Sequence, residues 1–324
     1  MENAKILIDL FGCDNSDAVI DGLVKTINEI PSVQLVGVGD KDYIETRLES
    51  ETFDRTRLEI LDAKQVITND DSPVVAVRSK KDSSLVVSYN ALKTRTDIPV
   101  MITAGNTGAV IAGAILILGR EKREDRPFLA TFIPNDKGGV TCLADCGANV
   151  DCRPEHLVSF AKNAVEYVSK VYGIDNPKVS LLSVGTEDKK GNALTKETFV
   201  LLKESDLNFL GNVEAKTVLS GESDVIVADG FDGNVLLKSI EGTAKVVVKR
   251  MLELLKKHAN GNDMTFAKKA FGELMQTLDF NSLGGALLLG AKKPVIKAHG
   301  SANSETVVNT VKQAIKIIES GYNR

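Results

Sequence analysis

The sequence contains few cysteines and no long apolar run. Four cysteines among 324 residues are too few for a disulfide scaffold, which indicates a reducing compartment. The longest apolar segment, residues 109–118, is much shorter than the roughly 20 residues needed to span a membrane. The first residues also lack a basic segment followed by a signal-peptide core. We therefore expect a cytoplasmic protein that does not cross a membrane.

Neither sign of charge is in large excess. The formal net charge is -4 at pH 7, which argues against a nucleic-acid partner held by overall charge. Hydrophobic residues make up 43% of the chain, so general disorder is excluded. The length permits one large α/β unit or two lobes. Any basic patch must be local.

Motifs for bound metals and nucleotides are absent or incomplete. Three cysteines and one histidine between residues 142 and 156 have spacings unlike those of compact zinc sites. The glycines at 37 and 39 resemble a dinucleotide fingerprint, but Asp42 stands where its third glycine should be. No P-loop, metalloprotease helix or Gly-x-Ser-x-Gly elbow is present. We expect neither a metal nor a cofactor.

Residues 100–120 join a short apolar run to a longer one through glycines and small polar residues. Gly105 and Gly108 would let the backbone turn and approach a ligand closely. Asn106 or Thr107 can cap the helix that follows, and free amides at a helix start favour an anion such as phosphate. The alternative is a well-capped turn that binds nothing.

Apolar runs alternate with helical patterns along most of the chain, which predicts a mostly parallel sheet with helices on its faces. The predicted strands are 5–9, 33–39, 128–133, 140–145, 179–184, 208–210, 225–229 and 295–298, and the predicted helices are 18–30, 83–95, 154–171, 196–205 and 303–319. We expect the ligand crevice at the carboxyl ends of the strands.

Polar turns recur where these strands end. Asp9, Asp145 and Asp229 close strands, and Gly-Asn or Gly-x-Asn follows at five places. These begin at Gly105, Gly147, Gly191, Gly211 and Gly233. Each alone is more often a tight turn, but five in equivalent positions favour a shared ligand site.

Residues 242–280 interrupt the alternation with two consecutive amphipathic helices. We predict a helical hairpin that projects from the sheet and suits a dimer contact, an acidic partner or a membrane surface; ordinary core packing is the alternative. The cations around it are Lys245, Lys249, Arg250, Lys256, Lys257, Lys268 and Lys269.

Ten groups of residues match the motifs of one family. They are Lys80-Lys81-Asp82-Ser83-Ser84, Ala104-Gly105-Asn106-Thr107-Gly108-Ala109, Asp145 with Gly147-Ala148-Asn149-Val150-Asp151, Pro154-Glu155-His156-Leu157, Gly185-Thr186-Glu187, Lys190-Gly191-Asn192, Leu194-Thr195-Lys196-Glu197-Thr198, Gly211-Asn212-Val213-Glu214, Asp229-Gly230-Phe231 with Gly233-Asn234, and His299-Gly300-Ser301. The chain thereby resembles, along essentially its whole length, the PlsX family of phosphate acyltransferases. Members of that family make acyl phosphate from acyl-acyl-carrier-protein and inorganic phosphate.

The resemblance implies a fold, an assembly and a function. The fold would be an α/β/α sandwich of the isocitrate and isopropylmalate dehydrogenase type, as one catalytic unit over residues 1–324 with the hairpin 242–280 inserted. A homodimer would convert acyl-acyl-carrier-protein and inorganic phosphate to acyl phosphate and free carrier protein, feeding phospholipid synthesis. Two alternative functions stay open: a phosphotransacetylase-like enzyme acting on a CoA thioester, and a non-catalytic carrier-binding regulator. Peripheral association with the anionic inner face of the cell membrane is a further option that is compatible with the main interpretation.

We hypothesise that phosphate attacks the thioester carbonyl directly, so that the protein has only to hold phosphate, stabilise the oxyanion and assist the departing thiolate. The catalytic candidates are Asn149, Lys190, Asn234 and His299. The candidates for substrate or phosphate binding are Asp9, Gly12, Ser84, Gly105, Asn106, Thr107, Gly108, Asp145, Gly147, Asn192, Asp229 and Gly233. For Lys190 a solvated loop position, and for His299 a structural position at a strand end, are the alternatives.

Two positions depart from the family pattern. Cys13 follows Gly12 where a second glycine is usual, and Leu287 replaces a usual proline. If the second glycine requires a positive φ, Cys13 would be strained and the activity or substrate preference could differ.

Overall fold

The computed structural model describes residues 4–121, 126–258, 265–266, 269–270, 272 and 284–322. The strands of this part of the chain form one sheet. They are β1 (Lys5–Asp9), β2 (Gln34–Gly39), β3 (Leu58–Asp62), β4 (Val100–Thr103), β5 (Phe128–Pro134), β6 (Val140–Ala144), β7 (Lys178–Ser183), β8 (Asn208–Glu214), β9 (Val225–Val227), β10 (Ala286–Leu289) and β11 (Val295–Lys297).

The sheet order is β3-β2-β1-β4-β11-β10-β5-β6-β9-β7-β8. The first five strands of this order, β3, β2, β1, β4 and β11, are parallel to one another. The last four, β6, β9, β7 and β8, are also parallel to one another. β10 and β5 lie between the two groups, and β10–β11, β10–β5 and β5–β6 are antiparallel pairs. The mostly parallel sheet is confirmed. Our expectation that all carboxyl ends lie along one edge is wrong, because three reversals make the two parallel groups run in opposite directions.

The register nevertheless brings strand ends of both groups to the middle of the sheet. Ile296 of β11 pairs with Leu287, Leu287 with Ala130, and Ala130 with Ala144. Ala144 is the last residue of β6, and Ile296 is the next to last of β11. Because β6 and β11 run in opposite directions, the chain leaves this row toward opposite edges of the sheet. Residues that follow each strand, Gly147 and His299, nevertheless line one central cavity.

Helices cover both faces of the sheet. They are α1 (Ser16–Glu29), α2 (Lys41–Leu48), α3 (Pro73–Ser79), α4 (Ser84–Thr94), α5 (Thr107–Gly113), α6 (Pro154–Tyr172), α7 (Ala193–Lys203), α8 (Gly230–His258) and α9 (Ser304–Glu319), and α5 continues as a π-helical turn over Ala114–Leu118. The apolar side chains of β1 alternate between two cores: Ile6 and Ile8 join α1, α6 and α9, whereas Leu7 joins α4, α5 and α8. The layers are those of an α/β/α sandwich.

Local signals explain most helix starts. α6 begins at Pro154, where the missing N–H costs no helical bond. Asn303 caps α9 by accepting from the Thr306 N–H at 2.9 Å. Both helices begin and end within one residue of the predicted bounds. Four elements of the structure, α2, α3, β3 and β10, were not predicted from the sequence.

Helix α8 starts earlier than predicted. Residues 230–234 were expected to form a loop before a helix at 242, but one helix of 29 residues runs from Gly230 to His258. Asp229 caps it by accepting from the Asp232 N–H at 2.8 Å. Within the second half of α8, Val248 is buried while Val247, Met251 and Leu254 are exposed. Most of the predicted apolar stripe is therefore not packed into the core of this chain, and Val248 is the buried exception.

Three further expectations concern the hairpin, one of the Gly-Asn turns and the absence of a membrane-spanning segment. Most of the second predicted helix, with Lys268, lies outside the described residues; of residues 261–280, those described are helical. Gly211 lies inside β8 with a φ of +105° beside a bulge, so the loop expected at Gly211-Asn212 is wrong. No described helix is both long and apolar enough to cross a membrane.

Candidate active site

A central cavity of about 440 Å³ opens where the two groups of strands meet. Its walls come from the turns after β4, β6 and β11, from β5 and β10, and from α8. The lining residues are Thr107, Leu129, Thr131, Phe132, Cys146, Gly147, Asn234, Leu237, Lys238, Glu241, Gly284, Gly285, Ala286, Lys297, Ala298, His299 and Gly300. Of the predicted site residues, Thr107, Gly147, Asn234 and His299 are in this wall.

Asp9 lies at the end of β1, and it is only 2% exposed. It accepts from the Thr103 hydroxyl at 2.8 Å and from the Phe11 N–H at 3.3 Å. Burial raises the pKa of this carboxyl to about 6, against hydrogen bonds from Ser84 and Thr103 that lower it. Ser84, at the start of α4, is thus brought to Asp9; the binding role predicted for both residues stays a prediction.

Gly12 has a φ of +83°, and a β-carbon added there would lie 3.5 Å from the Gly105 Cα. Two predicted glycine turns therefore pack against each other. Among the described residues other than glycine, Asn176 alone has a positive φ. The strain that we considered for Cys13 is absent, since the left-handed position falls on Gly12.

The turn after β4 is built by side-chain capping. The Gly105 N–H donates to the Thr103 hydroxyl at 3.1 Å, and the Asn106 Oδ1 accepts from the Ala109 N–H at 2.9 Å. Gly108 passes close to α3, where an added β-carbon would lie 2.7 Å from the Pro73 Cγ. Thr107 is the member of this motif that lines the cavity.

Asp145 holds the turn after β6 in place. Its buried carboxylate accepts from the N–H groups of Leu129, Ala148 and Asn149 at 3.0, 3.1 and 2.7 Å. The Asn149 amide donates to Asp145 at 2.9 Å and to the Pro127 carbonyl at 3.0 Å. Burial raises the pKa of Asp145, while these bonds lower it. Neither residue lines the cavity, and Gly147, between them, does.

The start of α8 packs tightly on this turn. A β-carbon added at Gly233 would lie 1.9 Å from the Asp145 carbonyl oxygen, so only glycine fits. One residue later, Asn234 faces Gly147, and its amide has no hydrogen-bond partner within the described parts of the chain. One turn further along, Lys238 pairs with Glu241 at 2.8 Å in the same wall.

His299 follows β11 and is exposed to the cavity. Its Nδ1 accepts from the Ser301 N–H at 3.3 Å and lies 2.8 Å from the Ser301 hydroxyl. In the neutral ring the proton is then on Nε2.

Lys297 lies in the same wall and was missed by the sequence analysis. Its Nζ donates to the carbonyl oxygens of Ala298 at 2.5 Å and Ala104 at 3.5 Å. Burial lowers the pKa of the ammonium to about 8, against attraction from Asp14 and Asp9. The signal was a lysine within an otherwise apolar strand, because a buried charge is costly unless something compensates it.

One predicted site residue, Asn192, lies at a second, more apolar cavity. It has a volume of about 350 Å³ and lies beside α8, between β7 and α7. Asn192 lines it, but its Oδ1 accepts from the Thr195 N–H at 2.9 Å as the cap of α7. Lys190, in the preceding loop, is exposed and is not part of the central wall. Asp229 likewise serves as a cap, and burial raises its pKa.

Within residues 4–121, 126–258 and 284–322, no three His, Cys, Asp or Glu side chains form a group that could hold a metal ion. Cys146 is buried, with its Sγ 2.9 Å from the Thr131 hydroxyl and 3.2 Å from the Leu129 carbonyl oxygen.

Comparison with known proteins identifies the family. A family model described as "Fatty acid synthesis protein" matches residues 4–324. The phosphate acyltransferase of Clostridioides difficile (strain 630) is 45% identical over 314 residues, covering 96% of this chain and 92% of that protein. This chain belongs to the PlsX family. The resemblance drawn from its motifs is thus confirmed.

Solved structures support the fold of this PlsX-family chain. A phosphotransacetylase from Streptococcus pyogenes matches with a TM-score of 0.60 at 16% identity, covering 97% of this chain and 94% of the other. A 4-hydroxythreonine-4-phosphate dehydrogenase from Burkholderia phymatum matches with a TM-score of 0.52 at 12% identity, covering 97% and 98%. At such identities the likeness concerns the fold alone.

Proposed function

We propose that this protein is a phosphate acyltransferase that transfers the acyl group of acyl-acyl-carrier-protein to inorganic phosphate. The products are acyl phosphate, for phospholipid synthesis, and free carrier protein. The family relationship supports the reaction, and the central cavity carries the proposal. There, Asn234 on α8, which faces Gly147, and His299 after β11 line one space together with Thr107.

In the proposed reaction an oxygen of hydrogen phosphate attacks the carbonyl carbon of the thioester. The new C–O bond forms, the C–S bond breaks, and the proton brought by phosphate ends on the departing thiol. Because phosphate is itself the nucleophile, no covalent enzyme intermediate is required. The enzyme contributes orientation of the two substrates and stabilisation of the oxyanion.

Asn234 and His299 are the proposed donors to the carbonyl oxygen. The Asn234 amide has no hydrogen-bond partner among the described residues, and the His299 Nε2 carries the proton in the neutral ring, so both can donate into the cavity. Asn149 is proposed as a positioning residue, because its amide is bound to Asp145 and Pro127. Lys190 stays a candidate without a contact to this cavity.

The function is tested with purified protein, acyl-acyl-carrier-protein and inorganic phosphate, measuring acyl phosphate by hydroxylamine trapping and free carrier thiol by a thiol reagent. We expect both products in equal amounts, and only when phosphate is present. Product from acyl-CoA but not from the acyl carrier would favour the phosphotransacetylase-like alternative. No product from either thioester would favour the non-catalytic regulator.

The proposed carrier contact is the cationic surface of α8. This surface consists of exposed residues, and Arg250 also pairs with Glu253 at 3.1 Å. Its members are Lys245, Lys249, Arg250, Lys256 and Lys257, and Lys269 is also exposed but lies outside α8. The exposed apolar residues beside it, such as Val247 and Leu254, suit the proposed homodimer contact or an anionic membrane surface.

Reversing Lys249 and Lys256 to glutamate should raise the KM for acyl-acyl-carrier-protein, because long-range attraction to an acidic carrier is lost. Added salt should weaken the wild-type enzyme in the same way, since exposed charges are screened within about 10 Å at 0.1 M salt. Turnover with a small carrier-free thioester is the control and should be unchanged. Equal loss with both substrates would mean that α8 serves folding or dimerisation instead.

A further inference from the structure

Two partly buried lysines, Lys293 and Lys297, lie four residues apart near β11. They differ in how their ammonium groups are satisfied. Lys293 donates to three carbonyl oxygens, those of Leu92, Arg95 and Ile98, at 2.6, 2.8 and 2.9 Å. An ammonium has three N–H donors, so Lys293 is fully occupied. We therefore interpret Lys293 as a structural residue that ties these three carbonyl groups together.

Lys297 is not satisfied in this way. Two of its donors go to the carbonyls of Ala298 and Ala104, the second at a long 3.5 Å. The third has no acceptor within residues 4–121, 126–258 and 284–322, and no carboxylate there lies within the 4.0 Å of an ion pair. Asp9 and Asp14 act on it only at longer range. A buried cation without an ion pair is costly, and this one borders an open cavity.

We propose that Lys297 is the residue that binds the attacking phosphate in the central cavity. This inference rests on the proposed phosphate acyltransferase function and adds to it the group that holds the nucleophile. Phosphate oxygens are strong acceptors for an ammonium, and Lys commonly serves as a point charge for phosphate. The bound dianion supplies the missing acceptor and compensates the buried charge. Thr107 and His299, in the same wall, border the same space.

The cation also sets a pH dependence. Burial lowers the pKa of Lys297 to about 8, so the charged form is lost as the pH rises through that value. The other titratable groups that face it are Asp9, Asp14 and Cys13 near the end of β1, Lys238 and Glu241 on α8, and His299. We expect kcat/KM for phosphate to fall above about pH 8. Arginine keeps its charge there, so in Lys297→Arg this fall should be absent up to about pH 10.

The experiment compares wild type, Lys297→Met, Lys297→Arg and the matched control Lys293→Met. Binding is measured as the rise in Tm caused by inorganic phosphate, and turnover as acyl phosphate formation. In Lys297→Met we expect the KM for phosphate to rise about tenfold or more, the KM for the acyl carrier to stay constant, and the phosphate-dependent Tm rise to vanish. Lys293→Met should lower Tm without phosphate, because three carbonyls lose their donor, but keep the wild-type response to phosphate.

The outcomes separate this inference from the function on which it rests. A Lys297-dependent Tm rise without acyl phosphate formation by wild type would keep the phosphate site and reject the proposed reaction. Acyl phosphate formation by wild type with an unchanged phosphate KM in Lys297→Met would reject the inference and keep the reaction. If Lys297→Met does not fold, Lys297→Arg decides: a wild-type fall in kcat/KM above pH 8 in that variant would overturn the inference.

Discussion

The two groups of parallel strands contribute differently to the central cavity. The group that ends in β11 supplies charge, with Asp9 buried at the end of β1 and with the half-buried Lys297 and the exposed His299 in the wall of the cavity. The group that begins with β6 supplies shape, through Gly147 and the start of α8, both held against Asp145. The pKa values of the charged side chains depend on how far water is excluded from them, whereas the shape of the turn depends on close contact between backbone atoms. Substitutions on the two sides should therefore fail in different ways.

The largest effect is expected on the side that supplies shape. In Gly233→Ala the added β-carbon would lie 1.9 Å from the Asp145 carbonyl oxygen, and both are backbone-defined positions that cannot move separately. We expect a loss of about 3 kcal/mol in the free energy of unfolding, measured by urea denaturation, with loss of turnover.

The matched control is Gly242→Ala in the same helix. A β-carbon there has no atom within 4 Å, so the variant should gain about 0.5–1 kcal/mol from helix propensity. If both variants unfold at the same urea concentration, the close approach of α8 to the β6 turn is not present in solution.

On the side that supplies charge, the effect should depend on pH. The unfolded Asp9 carboxyl releases its proton near pH 3.8, but the folded one does so only near pH 6. Below about pH 4 the Asp9 carboxyl is neutral in both states. As the pH rises from about 4 to about 6, the carboxyl ionises more readily in the unfolded state, so the free energy of unfolding falls. Each pKa unit corresponds to about 1.4 kcal/mol, so wild type should lose about 3 kcal/mol relative to Asp9→Asn over this interval.

Urea denaturation at pH 4, 5, 6 and 7 measures this difference. Asp70→Asn, at an exposed position, is the control and should follow the wild-type pH dependence. If the free energy of unfolding changes with pH in the same way for wild type and Asp9→Asn, the raised pKa of the Asp9 carboxyl is contradicted.

Much of the fold followed from short-range patterns, but the direction of the strands did not. Helix starts at Pro154 and Asn303 depend on neighbouring residues. The opposite directions of the two groups depend on β10 and β5, which pair residues far apart in sequence. β10 is a four-residue strand after two glycines, too short for a clear periodic pattern. Long-range pairing of this kind leaves no local signal.

The site shows the same division. Asn106, Asn192 and Asp229 were predicted as ligands, and each caps a helix. A cap and a ligand both require a polar side chain at a strand-to-helix turn, so one sequence cannot distinguish them. Lys297 was missed for a different reason: it ends a strand and lies outside the turn motifs, and its one local signal is a charge within an apolar run.

The central claim is that chemistry takes place in the central cavity, where both groups of strands meet, and two asparagines test it most directly. Asn234 lines that cavity with an amide that has no hydrogen-bond partner among the described residues, whereas Asn192 caps α7 at the other cavity. The measurement is acyl phosphate turnover of Asn234→Ala and Asn192→Ala, with Tm recorded for both. We predict that Asn234→Ala loses about 100-fold in kcat at unchanged Tm, and that Asn192→Ala keeps its turnover but loses about 1 kcal/mol of stability. Full turnover in Asn234→Ala, with turnover lost in a stable Asn192→Ala, would contradict the account.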